Sequence, residues 1–82
     1  MGKLTTKGIE AAGEGRHGDG AGLILQATRG KGGETRKRWL WRYRFRGRVR
    51  EMGLGPFPKI SLAAARAKAR ELAALRDQGK DP

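Results

Sequence analysis

Cysteine is missing from this chain of 82 residues, and histidine, serine and acidic residues are scarce. The lack of cysteine excludes disulfide scaffolds and thiolate metal sites. No apolar run approaches the roughly 18 residues of a membrane-spanning helix. His17 is the single histidine, Ser61 is the single serine, and the 8 carboxylates are scattered along the chain. No set of nucleophile, base and orienting group can be assembled from them, so we expect no catalytic residue, metal or cofactor.

Acidic residues are outnumbered by basic ones, with 8 Asp and Glu against 19 Lys and Arg, for a formal net charge of +11. Self-repulsion destabilises a lone compact chain of such charge. A polyanionic partner would neutralise it, and nucleic acid is the first candidate, ahead of an anionic membrane surface. The length corresponds to one small domain, residues 1–82, whose core must be built from a few large side chains.

Aromatic residues are few, and four of the five fall in the segment RWLWRYRFRGRVR, residues 38–50. Rings at positions 39, 41, 43 and 45 alternate with Arg38, Leu40, Arg42 and Arg44. A period of two predicts a strand over residues 37–46, with the rings on one face and the guanidinium groups on the other. Since the chain has almost no other large side chain to bury, we expect the rings to form the core.

Two further strands are predicted, over residues 22–28 and 48–55. A two-residue turn at Arg46 and Gly47 requires a positive φ at Arg46, so a three-residue turn is the alternative. The two-residue turn places position 41 opposite 52 and position 39 opposite 54. The glycine-rich segment 13–22 is predicted to be a loop in which Asp19 and Gly20 turn into the first strand and His17 is solvated.

The remaining segments predict helix. Residues 5–12 favour a short helical turn capped by Thr5 or Thr6. Residues 62–78 favour a longer helix, with Ser61 as its N-cap and Gly79 as its stop. Its apolar stripe is Leu62, Ala65, Ala69, Leu72 and Ala73. The predicted fold is therefore α+β, a three-stranded antiparallel sheet packed on one C-terminal helix in the order β-β-β-α, with the other sheet face open.

The side chains predicted on the open face suit DNA, because the planar fork of arginine matches both phosphate oxygens and the guanine edge. We predict base readout by Gln26, Thr28, Arg42 and Arg44. We predict phosphate contacts by Arg36, Arg38, Arg48 and Arg50. The sequence does not decide which side chains of the third strand face the DNA: they are either Arg48 and Arg50 or Val49 and Glu51. Glu51 would lie opposite Arg42.

Two alternatives compete with this interpretation. The arginines could form an ordinary solvated strand face that prevents edge-to-edge aggregation. The aromatic strand could instead stack on unpaired bases, as in RNA-binding or ribosomal-type basic modules. The second alternative requires the rings to be exposed.

The whole pattern resembles the N-terminal arm-type DNA-binding domain of phage-type tyrosine recombinases, the integrases of prophages and genomic islands. The resemblance rests on spaced positions from about Leu4 to Pro82: the run from Asp19 to Leu23 with Leu25, then Trp39, Arg42, Tyr43, Arg44, Gly47, Arg50, Leu54, Gly55, Pro58, Leu62, Ala65, Arg66, Gly79, Asp81 and Pro82. Ala27, in place of a larger aliphatic residue, and Arg46, in place of the usual asparagine, depart from the family pattern.

The resemblance implies a sheet that enters the major groove of double-stranded DNA at arm-type repeats of an attachment site. It also implies that residues 79–82 begin a linker to core-binding and catalytic domains absent from this chain, which would then be a non-catalytic fragment. Expected partners are double-stranded DNA and, through the absent domains, other integrase protomers, with no membrane or small-molecule ligand. The expected location is the bacterial cytoplasm, at the nucleoid.

Overall fold

A computed structural model describes residues 3–82 of the chain. The elements are α1 (Thr6–Ala11), β1 (Gly15–Gly20), β2 (Leu23–Arg29), β3 (Thr35–Phe45), β4 (Arg48–Phe57) and α2 (Leu62–Asp77). The strands form one antiparallel sheet in the order β1-β2-β3-β4. The α+β class and the C-terminal helix are confirmed, but the sheet has four strands where the sequence predicted three.

The additional strand, β1, lies in the glycine-rich segment 13–22 that was predicted to be a loop. It pairs with β2 from Gly15 opposite Ala27 to Gly18 opposite Ile24. The prediction failed because three residues of β1 are glycine, which hides the alternation of side chains while leaving the backbone free to pair. His17 is accordingly not a solvated loop residue: it is half-buried, and its Nε2 lies 2.9 Å from the carbonyl oxygen of Gly13.

Asp19 does more than turn the chain. A register shift between Gly18 and Gly20 accompanies its burial, to 3% exposed. Its carboxylate accepts hydrogen bonds from the Nε and Nη2 of Arg66, both at 2.9 Å, and from the backbone N–H of Leu4 at 2.8 Å. The hydrogen bond from Arg66, helped by that from Leu4, lowers the pKa of Asp19 although burial opposes the shift. This ion pair ties the N-terminal segment, β1 and α2 together.

The hairpin between β3 and β4 has the two-residue turn that the sequence favoured. Arg46 and Gly47 have φ values of 51° and 78°, so Arg46 takes up the required positive φ. Trp41 lies opposite Met52 as predicted. Trp39 lies opposite Gly55 rather than Leu54, because a bulge in β4 breaks the register between Trp39 and Leu40.

The core lies between the sheet and α2, where Trp39 and Trp41 are fully buried. The Nε1 of Trp39 donates to the carbonyl of Ile60 at 2.7 Å, and that of Trp41 donates to the carbonyl of Ala21 at 3.1 Å, so neither indole leaves an unpaired donor. The predicted helix stripe is confirmed: Leu62, Ala65 and Ala69 are buried, and Leu72 and Ala73 pack partly buried against the cluster. The helix α1, which Thr5 caps, adds the buried Ile9.

Candidate nucleic-acid interface

The sheet has two faces of opposite character. The aromatic face carries Trp39, Trp41, Tyr43 and Phe45, all buried, and α2 packs on it. The alternation of the strands and their register place the following residues on the other side, which we call the open face: Arg16, Ile24, Gln26, Thr28, Arg36, Arg38, Leu40, Arg42, Arg44, Val49 and Glu51. The separation that the sequence predicted is therefore present along β3, where the four rings lie on one face and Arg38, Arg42 and Arg44 lie on the other.

One end of the sheet narrows to two strands. The strand β2 begins at Leu23, opposite Trp41, so that β3 and β4 continue beyond it as a hairpin. We call residues 42–51 of this hairpin the arginine ribbon. Its arginines are at positions 42, 44, 46, 48 and 50. The sheet is therefore only two strands wide at this end, and five of the chain's 19 basic residues lie in the arginine ribbon.

The register shows which side chains of β4, the third predicted strand, lie on the open face. Val49 lies opposite Arg44 and Glu51 lies opposite Arg42, so both belong to the open face. Arg48 pairs with Phe45 and Arg50 pairs with Tyr43, on the aromatic side.

Arg50 makes contacts on the aromatic side of the ribbon. Its Nη1 lies 3.2 Å from a carboxylate oxygen of Asp81, and its guanidinium lies 5.8 Å from the ring centre of Phe45. The guanidinium of Arg46 lies over the same ring at 5.0 Å. Phosphate contact by Arg48 and Arg50 stays a prediction, and it would require these side chains to reach round the edge of the ribbon.

The residues predicted to read bases lie on the same face but in two groups. Arg42 and Arg44 are together on the ribbon. Gln26 and Thr28 lie near the opposite end of the sheet, where they pair with Arg38 and Arg36, the residues predicted to contact phosphate. Arg44 lies six positions after Arg38 in β3, which corresponds to about 20 Å along the strand.

Most arginines of the open face have no acidic partner within the sheet. In the part of the chain that the structure describes, no carboxylate lies within 4.0 Å of a guanidinium nitrogen of Arg38, Arg42 or Arg44. Arg36 has a loose contact of 3.6 Å with Glu34, and both side chains are at least half exposed. These guanidinium groups are available to a polyanion.

Glu51 is the one acidic residue among the open-face residues named above, and its partner is Arg16 of β1. The Nη1 of Arg16 donates to Oε2 of Glu51 at 2.7 Å, and its Nη2 donates to Oε1 at 3.4 Å. The hydrogen bond from Arg16 lowers the pKa of Glu51, and the charges of Arg16 and Arg42 add to the effect. The sequence does not reveal the role of Arg16, because the glycine-rich segment 13–22 predicts a loop and no local pattern links positions 16 and 51.

Residues 3–82 contain no group of three or more His, Cys, Asp or Glu side chains arranged to hold a metal ion. No helix among these residues is long and apolar enough to cross a membrane.

A family model described as Arm DNA-binding domain matches residues 4–82, nearly the whole chain. The chain belongs to the arm DNA-binding domain family. No curated protein matches it. The match confirms the resemblance to the arm-type domain of phage integrases that the sequence motifs indicated. An arm DNA-binding domain is a non-catalytic module that binds DNA, and that assignment agrees with the unpaired arginines of the open face.

Several motif residues of this arm DNA-binding domain are explained by the fold rather than by contact with DNA. Asp19 and Arg66 form the buried ion pair described above. Gly22 has a φ of 88°, and a Cβ there would collide with the backbone carbonyl of Arg42. The N–H of Arg42 donates to the carbonyl of Gly22 at 2.8 Å, at the point where the ribbon leaves the sheet. Gly22 thus fixes the base of the arginine ribbon.

Proposed function

We propose that this domain binds double-stranded DNA sequence-specifically by placing the arginine ribbon in the major groove. The targets would be arm-type repeats at the attachment site of a phage or genomic island. The parent protein would be a tyrosine integrase whose other domains cut and rejoin DNA and contact other protomers. The observation that supports the proposal most is the ribbon itself, a two-stranded end of the sheet whose open-face arginines lack acidic partners.

The dimensions favour insertion of the ribbon rather than of the whole sheet. The major groove is roughly 12 Å wide and admits a two-stranded β-ribbon. Three strand spacings separate β1 from β4, or about 14 Å, before any side chain is counted. The ribbon therefore fits the groove, whereas β1 has to remain at its edge.

This orientation assigns roles to the predicted residues. Arg42 and Arg44, on the ribbon, would face guanine edges, since arginine pairs with guanine through two hydrogen bonds. Gln26 and Thr28 would read a second group of bases about 20 Å away, which corresponds to roughly six base pairs. Arg36 and Arg38 flank that second group and would hold phosphates. Arg48 and Arg50 would contact phosphates at the groove edge from the aromatic side of the ribbon.

Recognition of unpaired RNA bases by stacking is disfavoured by the same structure. Trp39 and Trp41 are fully buried, and Tyr43 and Phe45 are 6% and 5% exposed. A ring covered by a helix cannot serve as a stacking platform for a base. Binding through the arginines of the open face does not require any of these rings to be uncovered.

Titration of labelled duplexes with the 82-residue chain tests the proposal, after a binding site has been selected from random duplex DNA. We expect affinity to fall steeply with salt, with a slope that corresponds to about 5–8 phosphates. Arg42→Ala should reduce the preference for the selected site about tenfold or more. Arg48→Ala should instead weaken binding to selected and random duplex alike.

Lys68→Ala is a suitable control, because Lys68 is exposed on α2, which packs against the aromatic face. It removes one positive charge and should leave sequence preference unchanged. Equal losses on both kinds of duplex for Arg42→Ala and Arg48→Ala would contradict the division of roles. Tighter binding of single-stranded RNA than of any duplex would contradict the proposed function.

A further inference from the structure

The middle of the open face is apolar. Ile24 of β2 lies opposite Leu40 of β3, and the same row across the sheet continues to Gly18 of β1 and Gly53 of β4. We call Ile24 and Leu40 the apolar centre. Because the outer positions of the row have no side chain, the apolar centre is not enclosed by bulky neighbours within its own row.

Polar and charged side chains lie in the rows on both sides of the apolar centre. The row on one side holds Arg16, Gln26 and Arg38. The row on the other side holds Arg42 and Glu51. A duplex that contacts the guanidinium groups of both rows must therefore also pass over the apolar centre.

Leu40 is covered although no helix or strand of residues 3–82 packs on the open face. It is only 8% exposed, while Ile24 is half-buried. The ion pair of Arg16 and Glu51 joins the two outer strands from rows on opposite sides of the apolar centre, so it has to pass above it. The guanidinium of Arg38 also reaches this row, because its Nη2 lies 3.8 Å from where a Cβ of Gly53 would be. The cover is thus made of flexible side chains, the Arg16–Glu51 pair among them.

We infer that the apolar centre is a specificity-determining site that recognises the C5-methyl group of thymine, and that the Arg16–Glu51 pair moves aside when DNA binds. This inference rests on the proposed function, whose DNA-binding face it shares. It adds two contact residues, Ile24 and Leu40, to the DNA-contacting residues that the sequence predicted.

The chemistry of the major groove points to thymine. The thymine methyl group is the apolar feature that a base pair presents there, whereas guanine, cytosine and adenine edges present hydrogen-bond donors and acceptors. A donor or acceptor held against Ile24 and Leu40 would lose its water without gaining a partner, which is unfavourable. A methyl group loses nothing by leaving water.

The ion pair between Arg16 and Glu51 is weak enough to open when DNA binds. The side chains of Arg16 and Glu51 are 49% and 36% exposed, and exposed ion pairs are weak. A nearby phosphate would offer Arg16 a replacement partner. Glu51 would keep the positive charge of Arg42 beside it, because these two residues are opposite each other in the ladder.

Replacement of thymine by deoxyuridine tests the inference, since it removes the methyl group and keeps every hydrogen-bonding group of the base. In the selected duplex, each thymine is replaced singly and the affinity of the 82-residue chain is measured. We expect one or two positions at which the affinity falls about 3–5-fold, the size expected for one buried methyl group. The same replacements should change the affinity of Ile24→Ala and Leu40→Ala less than about 1.5-fold.

Leu72→Ala is the matched control, because Leu72 is partly buried on the helix side and does not belong to the open face. It should retain the full sensitivity to deoxyuridine. If Leu40→Ala does not fold, the sensitivity of Ile24→Ala to deoxyuridine is the test. Ile24 is only half-buried, so we expect its replacement to be tolerated. Insensitivity of the wild type to every replacement, or undiminished sensitivity in Ile24→Ala, would overturn the inference and leave sequence-specific binding intact. Failure to select any preferred duplex would overturn the proposed function and the inference with it.

Discussion

The two faces of one strand, β3, carry the stability and the proposed DNA binding of this domain separately. On the aromatic face, Trp39 and Trp41 are fully buried and their indole N–H groups are satisfied by backbone carbonyls. On the open face, Arg42 and Arg44 are exposed, with no carboxylate within 4.0 Å in the described part of the chain. Adjacent residues of one strand therefore serve opposite needs, because side chains alternate across a sheet.

The difference between the two faces explains how a domain with a net charge of +11 can fold although much of its positive charge lies on one surface. The rings and α2 supply the burial on one side, and the repulsion among guanidinium groups is confined to a surface that solvent can screen. Substitutions on the aromatic face should then act on the free energy of unfolding, and substitutions on the open face should act on DNA affinity. Three predictions test how strictly the two properties are divided, from the largest expected effect to the smallest.

The largest effect is expected for Trp39→Ala. This change removes a large, fully buried side chain, together with the hydrogen bond from its Nε1 to the carbonyl oxygen of Ile60. We expect the free energy of unfolding, measured by urea denaturation, to fall by about 3–5 kcal/mol. Arg44→Ala, five positions along the same strand but on the open face, should change it by less than about 0.5 kcal/mol. Comparable losses for the two variants would show that the open face also holds the fold together.

An intermediate effect is expected for Asp19→Ala, which breaks the buried ion pair with Arg66. We expect a loss of about 2 kcal/mol, less than the roughly 3–5 of a fully buried pair, because the side chain of Arg66 is 31% exposed. Asp77→Ala is the control: Asp77 is exposed and forms an ion pair with its neighbour Arg76 at 3.2 Å, so that variant should be nearly neutral.

The same variant has a pH signature. The pKa of Asp19 is held below its ordinary value of 3.8 by Arg66 and Leu4, so the folded state favours the ionised carboxylate. The resulting stability is fully present above the ordinary pKa and is lost as the pH falls through the lowered one. The difference in stability between the wild type and Asp19→Ala should thus be constant from pH 5 to 7 and shrink below about pH 4. A difference that persists at pH 2 would mean that packing, and not charge, explains the loss.

The sequence predicts the parts of the fold that alternation and capping control. β3 and α2, between Ser61 and Gly79, follow from side-chain periodicity and capping preferences. The two-residue turn at Arg46 and Gly47 follows from the match of apolar positions on β3 and β4, although its positive φ is unfavourable for Arg46. The strand β1 could not be predicted in this way. Its glycines carry no periodic signal, and its pairing depends on β2 being in place to receive it.

The candidate site shows the same limit. The alternation of side chains along each strand places Gln26, Thr28, Arg42 and Arg44 on one face of the sheet. It does not show that these residues form two groups about 20 Å apart. The contact of Arg16 with Glu51 joins residues 35 positions apart on the two outer strands. Contacts of this kind depend on the order of the strands in the sheet, which a single sequence pattern does not contain.

The smallest effect on folding is expected for Glu51→Gln, which weakens the ion pair with Arg16 that spans the open face. Both side chains of that pair are substantially exposed, so we expect the melting temperature to change by less than about 4 °C. Duplex affinity should rise about 2–5-fold at low salt, because a negative charge is removed from the surface that meets phosphates, and the gain should fade as salt screens it. Glu10→Gln removes the same charge from α1, outside the open face, and should raise affinity less. If Glu51→Gln lowered the melting temperature as much as Asp19→Ala, the open face would contribute to the stability of the fold, and the division between the two faces would not hold.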